Sequence, residues 1–367
     1  MTQFKLGHST LPDWQSAVND CLKQAGAISS ENLGFVYVTD AFSAYLEKIF
    51  TALTEQTGIS QWVGSVGQGV LCTDHQYYDQ PAIVVMLASF NEHQFQIFSN
   101  IDAILPQQNE SVMSGVRIAL THADPREKDL LEVINALPDK IGNGYLVGGL
   151  TSASEHYFQL ANKVMEGSVS GVAFSDSVEV VTSLTQGCTP LGPIHRITEC
   201  DHHMAIKIDD RPALDVFKED LGADSLEDLD QTAGSIFAGF PHSDSDTNDY
   251  VIRNVVGIDP ENNLLAIGEI LQPDSHIMFC QQSSDSAYQD MQRMLDDIKK
   301  RLAGRTTRGG IYISCLGRSQ NLFSGNESEM KLISDSLGDI PIIGFYANGE
   351  IAGHRLYGYT GVLTLFL

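Results

Sequence analysis

The residues best equipped for chemistry gather in the last fifth of the chain. Cys315 ends an apolar run, and Arg318 follows it at the end of the segment Cys315-Leu316-Gly317-Arg318. A guanidinium beside a thiol favours thiolate and hence sensitivity to oxidants or electrophiles, whereas the same cysteine without that influence is a small buried hydrophobe. No His-Asp pair stands near it in the sequence to make it a catalytic nucleophile, so an enzyme is not expected. Arg318 and Glu350 are charges set in apolar, Gly-rich surroundings. Such residues are rarely buried unpaired, so they are expected either to bridge one another or to face a ligand. An amino acid needs this pair, a guanidinium for its carboxylate and a carboxylate for its ammonium. Among eleven histidines, His354 with its neighbour Arg355, His156 and His75 each lie in a loop between a Gly-rich segment and the apolar run that follows it. Cys200, His202 and His203 form a cluster with no fourth residue at zinc-ligand spacing.

Composition narrows the setting. At 367 residues the chain exceeds the size at which a single core stops growing, so two lobes are expected. With 47 acidic against 22 basic residues and a formal charge of -25, the surface repels phosphate backbones and anionic membranes, which excludes nucleic acid as an expected partner. The longest apolar run, Ala82 to Ala88, is too short to span a bilayer, and the first ten residues lack a signal-peptide pattern. Six scattered cysteines without a C-x-x-C pair read as reduced thiols, and the cytoplasm is the expected compartment.

The elements that must position these residues recur. Val63 to Phe90 and Val147 to Phe174 both open on Val-Gly and close in an apolar run ending on Phe, and a third stretch from Ile343 opens as GFYANGE and closes as TGVLTLF. Before each opening stands an apolar strand (Gly34 to Val38, Val116 to Leu120, Gly310 to Ser314) and then a helical periodicity, carried by Phe42, Tyr45, Leu46, Ile49 and Leu53, by Leu130, Leu131, Ile134 and Leu137, and by Leu332, Ile333 and Leu337. The helix starts are read after Asp40, Asp124 and Asn326, with Glu127 and Glu329 as N3 residues of capping boxes. Between the second and third stretches come hairpin strands, a helix near Pro212 and a longer helix from about Ser286 to Leu302, stopped by Gly304. The fold class is therefore α/β (α+β mixed): two lobes of mixed sheets covered by helices, with an internally repeated strand-helix-strand-strand unit. The expected divisions are an N-terminal arm at 1–30, a first domain at 31–220 and a second at 221–367, the acidic stretch Asp220 to Thr247 marking the lobe boundary. Glycines at the carboxyl ends of strands, around Gly64, Gly148, Gly149 and Gly344, either let a ligand approach the backbone or merely permit tight turns.

Several of these segments, in this order, carry a resemblance. Cys315-Leu316-Gly317-Arg318, Leu322-Phe323-Ser324-Gly325, Pro341, Gly344-Phe345-Tyr346-Ala347-Asn348-Gly349-Glu350-Ile351 and Thr360 closely resemble the FIST C-terminal domain, and Gly148-Gly149-Leu150 with Gln159 to Val172 is similar to the end of the FIST N-terminal domain. The resemblance implies an intracellular sensor that binds small ligands such as amino acids and regulates a separate signalling partner, a histidine kinase or a cyclic-di-GMP enzyme. A stand-alone chain of this length resembles a nitric-oxide-sensing, haem-binding subgroup, NosP, and this implies haem as cofactor. One neutral imidazole would then hold the iron and leave the opposite face open to a diatomic gas. His354 is the first choice and His156 the second, with Arg355 available to a propionate and Gly344, Tyr346 and Gly349 beside the group. Arg318, Glu350, Cys315, Gly148, Gly149 and Gly64 are the expected small-ligand contacts. An amino-acid sensor without haem and an interaction scaffold without ligand remain the alternatives.

Overall fold

A computed structural model describes residues 3–99, 115–141, 144–222, 235–241, 250–318, 322–323 and 328–367. Contacts group these residues into two compact units, one formed by Met1–Thr185 with Met291–Leu367 and the other by Gln186–Asp290. The expected division ran at 220/221. Most of the acidic stretch read as a boundary, together with Asn326, Ser324 and Gly325, lies outside the described residues.

The larger unit is built three times over. Each repeat has a lead strand, a helix and a glycine-bearing strand that returns parallel to the lead strand. The lead and glycine strands are Leu33–Thr39 with Trp62–Gly67, Val116–Ala123 with Tyr145–Leu150, and Gly309–Cys315 with Ile342–Ala347. A closing strand then pairs antiparallel with the other edge of the lead strand: Ile83–Ala88, Val169–Ser175 and Gly361–Phe366 in turn. On the far side of each closing strand lies an edge strand that precedes its repeat in the chain, Lys5–Ser9, Phe95–Phe98 and Val180–Thr185. The segment read as an N-terminal arm thus carries an edge strand and the helix Trp14–Ala25. The smaller unit interrupts the chain of the third repeat between its edge strand and its lead strand.

The hairpins between glycine strand and closing strand do not stay in their own sheets. The hairpin of the first repeat, Gly69–Cys72 and His75–Tyr78, extends the sheet of the third. That of the third, Glu350–Ala352 and Arg355–Tyr357, extends the sheet of the second. That of the second, Gln159–Ala161 and Val164–Met165, extends the sheet of the first. The register is the same each time: Leu71 opposes Gly344, Ile351 opposes Gly148 and Leu160 opposes Gly64. Three six-stranded sheets of one strand order result.

These three glycines are where the parallel strands come closest. A Cβ on Gly64 would lie 1.8 Å from the carbonyl oxygen of Val36, one on Gly148 1.8 Å from that of Thr121, and one on Gly344 1.6 Å from that of Tyr312. The space that the sequence offered to a ligand is filled by the neighbouring strand, and the glycines serve strand contact. Gly149 is closed in as well, since its Cβ would meet those of Ala347 and Ile313 at 2.7 and 2.8 Å for Cβ and Cγ2 respectively. Where the sheets meet, Tyr37 stacks on Phe345 with ring centroids 5.0 Å apart and shares a hydrogen bond of 3.0 Å with His122 Nε2. Burial holds His122 down to about 3, so it stays neutral there.

Helix positions follow the expected periodicity more closely than helix starts do. Leu46, Ile49 and Leu53, then Leu130, Ile134 and Leu137, and Leu332 with Ile333 are buried, while Tyr45 and Leu131 face outward. Asp40 opens a 3-10 turn, and the α-helix proper is Leu46–Thr57. Asp124 caps no helix. Its carboxylate accepts from the Arg126 and Gly167 amides and pairs with the Arg126 guanidinium, which stabilises a turn, and the helix begins later at Leu130. The last helix, Glu329–Leu337, is capped by Ser328, whose side chain accepts from the Lys331 amide, so Glu329 is its first residue and turns inward.

In the smaller unit, His276–Gln282 pairs with His195–Asp201 on one side and Ile236–Pro241 on the other, and the path through Met204–Ile208, Leu264–Ile267 and Tyr250–Asp259 closes the antiparallel sheet on itself. Closure leaves no open sheet edge on that path. Ile197, Leu265, Ile277 and Phe279 fill it together with Leu214 and Phe217 of the helix Ala213–Leu221. The turn at Asp259 forms as its sequence implies, with the Glu261 and Asn262 amides donating to the Asp259 carboxylate.

Adding one methyl group at Gly344 forces two parallel strands apart and should destabilise the protein by about 3 kcal/mol, the upper end of overpacking. Gly257→Ala, where the nearest atom lies 3.8 Å away, should change stability by less than about 0.5 kcal/mol. Chemical denaturation of the two variants gives the comparison.

Candidate functional site

The third repeat differs from its two counterparts at the carboxyl ends of its strands, where it buries two glutamates. The first, Glu329, is 1% exposed and is surrounded by donors. Tyr312 donates its hydroxyl to Oε1 at 2.7 Å, Ser314 donates to Oε2 at 2.7 Å, and Arg318 donates Nε and Nη2 to Oε1 at 2.9 and 2.8 Å. Arg318 is itself fully buried, lies 5.4 Å from the centre of the Phe323 ring and sends Nη1 toward the Tyr359 carbonyl at 3.4 Å. Ion pair and hydrogen bonds together balance a charge that burial alone would penalise heavily.

Glu350 is the second, and its surroundings are poorer. It begins the exchanged hairpin strand, is fully buried, and accepts at Oε2 from the amide and hydroxyl of Thr360 at 3.0 and 2.7 Å. Its other oxygen, Oε1, has no hydrogen-bond partner among the described residues. Burial pushes the carboxyl up to about 8, against the opposing pull of the Thr360 hydroxyl and amide, the Arg318 charge and the Cys315 thiol. At neutral pH Glu350 is therefore held mainly as the uncharged acid.

The register assigns Glu350 counterparts. Glu350 opposes Gly149, Gln159 opposes Ser65 and Val70 opposes Phe345, each one residue past the contact glycine. Gln159 satisfies its amide within the protein, accepting from Ser170 at 2.7 Å and donating toward the Gly167 and Ser168 carbonyls. Val70 has no polar atom to satisfy. Of these three equivalent positions, the one in the third repeat carries an acid with a free oxygen.

The structure brings together only part of what the sequence nominated. Arg318, Cys315 and Glu350 share one buried neighbourhood, as the electrostatic influence of both Arg318 and Cys315 on Glu350 records. The Arg318 ion pair is made with Glu329, not Glu350, because Glu329 opens its helix facing inward. Burial raises the Cys315 thiol far above its usual range, with the Glu350 charge adding to it, and this outweighs the guanidinium expected to activate the sulfur. Tyr346 is buried, with its hydroxyl donating to Gln76. Gly349 has φ of +128° at the entrance to the hairpin, a conformation that glycine tolerates best. His354 lies exposed at the hairpin turn, beside half-buried Arg355. His156 stacks face to face on Phe158 with centroids 4.9 Å apart.

A haem needs an imidazole presented to an apolar slot that covers both faces of the macrocycle. An imidazole on an exposed turn and one laid flat on a phenyl ring do not meet that requirement, so the described residues around His354 and His156 do not fit the group. Glu329 and Thr360 were not nominated as site residues. Glu329 was read only as a helix cap, although a Ser at position 328 offered the cap and so released the glutamate.

Comparison with known proteins divides the chain by sequence near residue 212, within the smaller of the two units. The FIST N domain matches residues 32–211 and the FIST C domain residues 213–353. An uncharacterized protein of Mycobacterium tuberculosis is 24% identical over 387 residues, covering 99% of each chain. One of Mycobacterium bovis is 25% identical over 386 residues, covering 99% of this chain and 98% of its own.

Two variants separate the glutamates. Arg318→Leu leaves Glu329 buried without its counter-charge and should cost about 3–5 kcal/mol in denaturant unfolding. For Glu350 the folded value of about 8 lies above the ordinary 4.5, so between these two pH values the unfolded chain releases a proton that the folded chain keeps. Stability should fall as pH rises through that window, by at most ~1.4 kcal/mol per unit, and level off above it. Glu350→Gln should flatten the decline in melting temperature from pH 5 to pH 8.

Proposed function

Because the chain belongs to the FIST family, whose domains are small-ligand sensors, we propose that it is a receptor for a small amine-bearing molecule of the amino-acid class, with Glu350 as the group that recognises the ammonium. One observation carries this reading: a fully buried carboxyl with one oxygen saturated by Thr360 and, apart from the weakly bonding Cys315 thiol beside the group, no hydrogen-bond partner for the other among the described residues. An orphaned buried polar atom costs about 1–3 kcal/mol, which an ammonium meeting the deprotonated oxygen would recover. Open α/β sheets present their carboxyl strand ends to ligands, and Glu350 stands at such an end. An ammonium arriving beside it would favour the carboxylate, so binding would release a proton from the protein and strengthen toward pH 8.

Arg318 does not serve the ligand carboxylate in this reading, since it is held by Glu329. The signal would pass to a separate protein, as the family resemblance implies. A receptor can report occupancy only if the ligand binds its two conformations unequally. The hairpin that carries Glu350 is suited to that role, because it belongs to one repeat by sequence and to another by hydrogen bonding. The reading includes no catalytic step.

Melting curves in the presence of amino acids and simple amines, run at pH 8, test the proposal. A ligand at one hundred times its Kd should stabilise the native state by ~2.7 kcal/mol, and the response should vanish in Glu350→Gln. An equal response in the variant, or none in the wild type, overturns the assignment. A sharp Soret band on adding hemin, lost in His354→Ala or His156→Ala, would instead favour haem.

A further inference from the structure

A second constellation lies at the other border of the first repeat's exchanged hairpin. His8 is on the edge strand Lys5–Ser9 of the first sheet, whereas Cys72 and His75 are on the two strands of the hairpin that extends the third sheet. One donor atom from each residue lies within 4.8 Å of the other two. The two imidazole rings are 4.7 Å apart, Cys72 is fully buried, His8 is half-buried and His75 is exposed. Neither a short sequence spacing nor a single element would have revealed this group, since His8 reaches the other two only through the exchange of strands.

We propose that His8, Cys72 and His75 bind one zinc ion. What distinguishes the cluster from three side chains that merely touch is the way both rings are held from behind. The Tyr77 hydroxyl lies 2.6 Å from His8 Nδ1, and His75 Nδ1 lies 3.0 Å from the Thr73 carbonyl oxygen. A carbonyl can only accept, so neutral His75 carries its proton on Nδ1 and presents Nε2 as a lone pair. His8 presents Nε2 in the same way in the tautomer whose Nδ1–H donates to the Tyr77 oxygen. Metal-binding histidines are oriented this way, with the second nitrogen fixed by a carbonyl or another polar group.

Two imidazole nitrogens and one thiolate make a borderline donor set suited to zinc, with the fourth tetrahedral position left to water or to an exogenous ligand. Binding replaces the S–H bond of Cys72 by a sulfur–metal bond, and the proton leaves to solvent. Because binding releases that proton, affinity should weaken as the pH falls. The ion would tie the edge of one sheet to the hairpin of another. This site shares no residue with the Glu350 neighbourhood, and its fate is independent of the ligand reading above.

Titration of the full chain with cobalt(II) tests the proposal, because tetrahedral cobalt gives visible d–d bands and, with a thiolate, a near-ultraviolet charge-transfer band. One cobalt per chain showing both features, and displaced by zinc, is the expected result. Cys72→Ser should abolish the charge-transfer band. His75→Ala, at an exposed position that does not threaten folding, should weaken zinc at least about a hundredfold, and Tyr77→Phe should weaken it about tenfold. Cobalt spectra without a thiolate band, or zinc affinity unchanged in His75→Ala, would show that the rings are packed together for stability alone and overturn the site.

Discussion

No repeat of the larger unit can finish its own sheet. Each must accept a hairpin from one neighbour and give its own to the other, and the three exchanges form a closed cycle. Main-chain hydrogen bonds on a bare sheet edge invite foreign strands, and the cycle covers three such edges with the chain's own hairpins. The contact glycines make it possible. At Gly64, Gly148 and Gly344 a parallel strand comes so close that its carbonyl occupies the place of a side chain, and the exchanged hairpin then pairs with the far edge of the same glycine strand.

The same geometry explains why chemistry is concentrated in one of three equivalent places. The hairpin entrance is Val70 in the first repeat, Gln159 in the second and Glu350 in the third, so similar backbones surround an apolar group, a satisfied amide and an acid. Around the third, two buried glutamates are stabilised by different means. Glu329 keeps company with a guanidinium and two hydroxyls. Glu350 is stabilised chiefly by holding its proton. A charge that is locked by a counter-charge is a structural part, whereas one governed by a proton can answer to a visitor.

Much of the repeat was legible in the sequence, because its markers are local. Val-Gly openings, apolar closings ending on Phe and helical periodicity before them all survive in the structure with small shifts, and the burial of Leu53, Ile134 and Ile333 follows from spacing alone. Hairpin exchange was not legible, since alternation within Glu350–Ala352 fixes which faces are buried but not which strand lies alongside. Helix starts misled for a related reason. Asp124, read as a cap, spends its carboxylate on Arg126 and Gly167, and the helix read as starting after Asn326 is capped instead by Ser328, which frees Glu329 to meet Arg318. The site residues were partly legible: the pairing expected of Arg318 was right in kind and wrong in partner, and a histidine beside a glycine motif, His354, proved to sit on an exposed turn.

The cycle also bears on how the chain matures during synthesis. Thr73, at the tip of the first hairpin, bonds to Ile340, which is separated from it by 267 residues, and the smaller unit is translated in between. A nascent chain emerging from the ribosome therefore holds a finished hairpin for which no dock yet exists, and contacts of such long range close slowly. Until the last repeat is released, the first two must wait with exposed strand edges, a state in which chains aggregate or are captured by chaperones. Loss of the third repeat by premature termination would accordingly remove more than the Glu350 neighbourhood, leaving the first hairpin without a sheet and the second sheet without its hairpin.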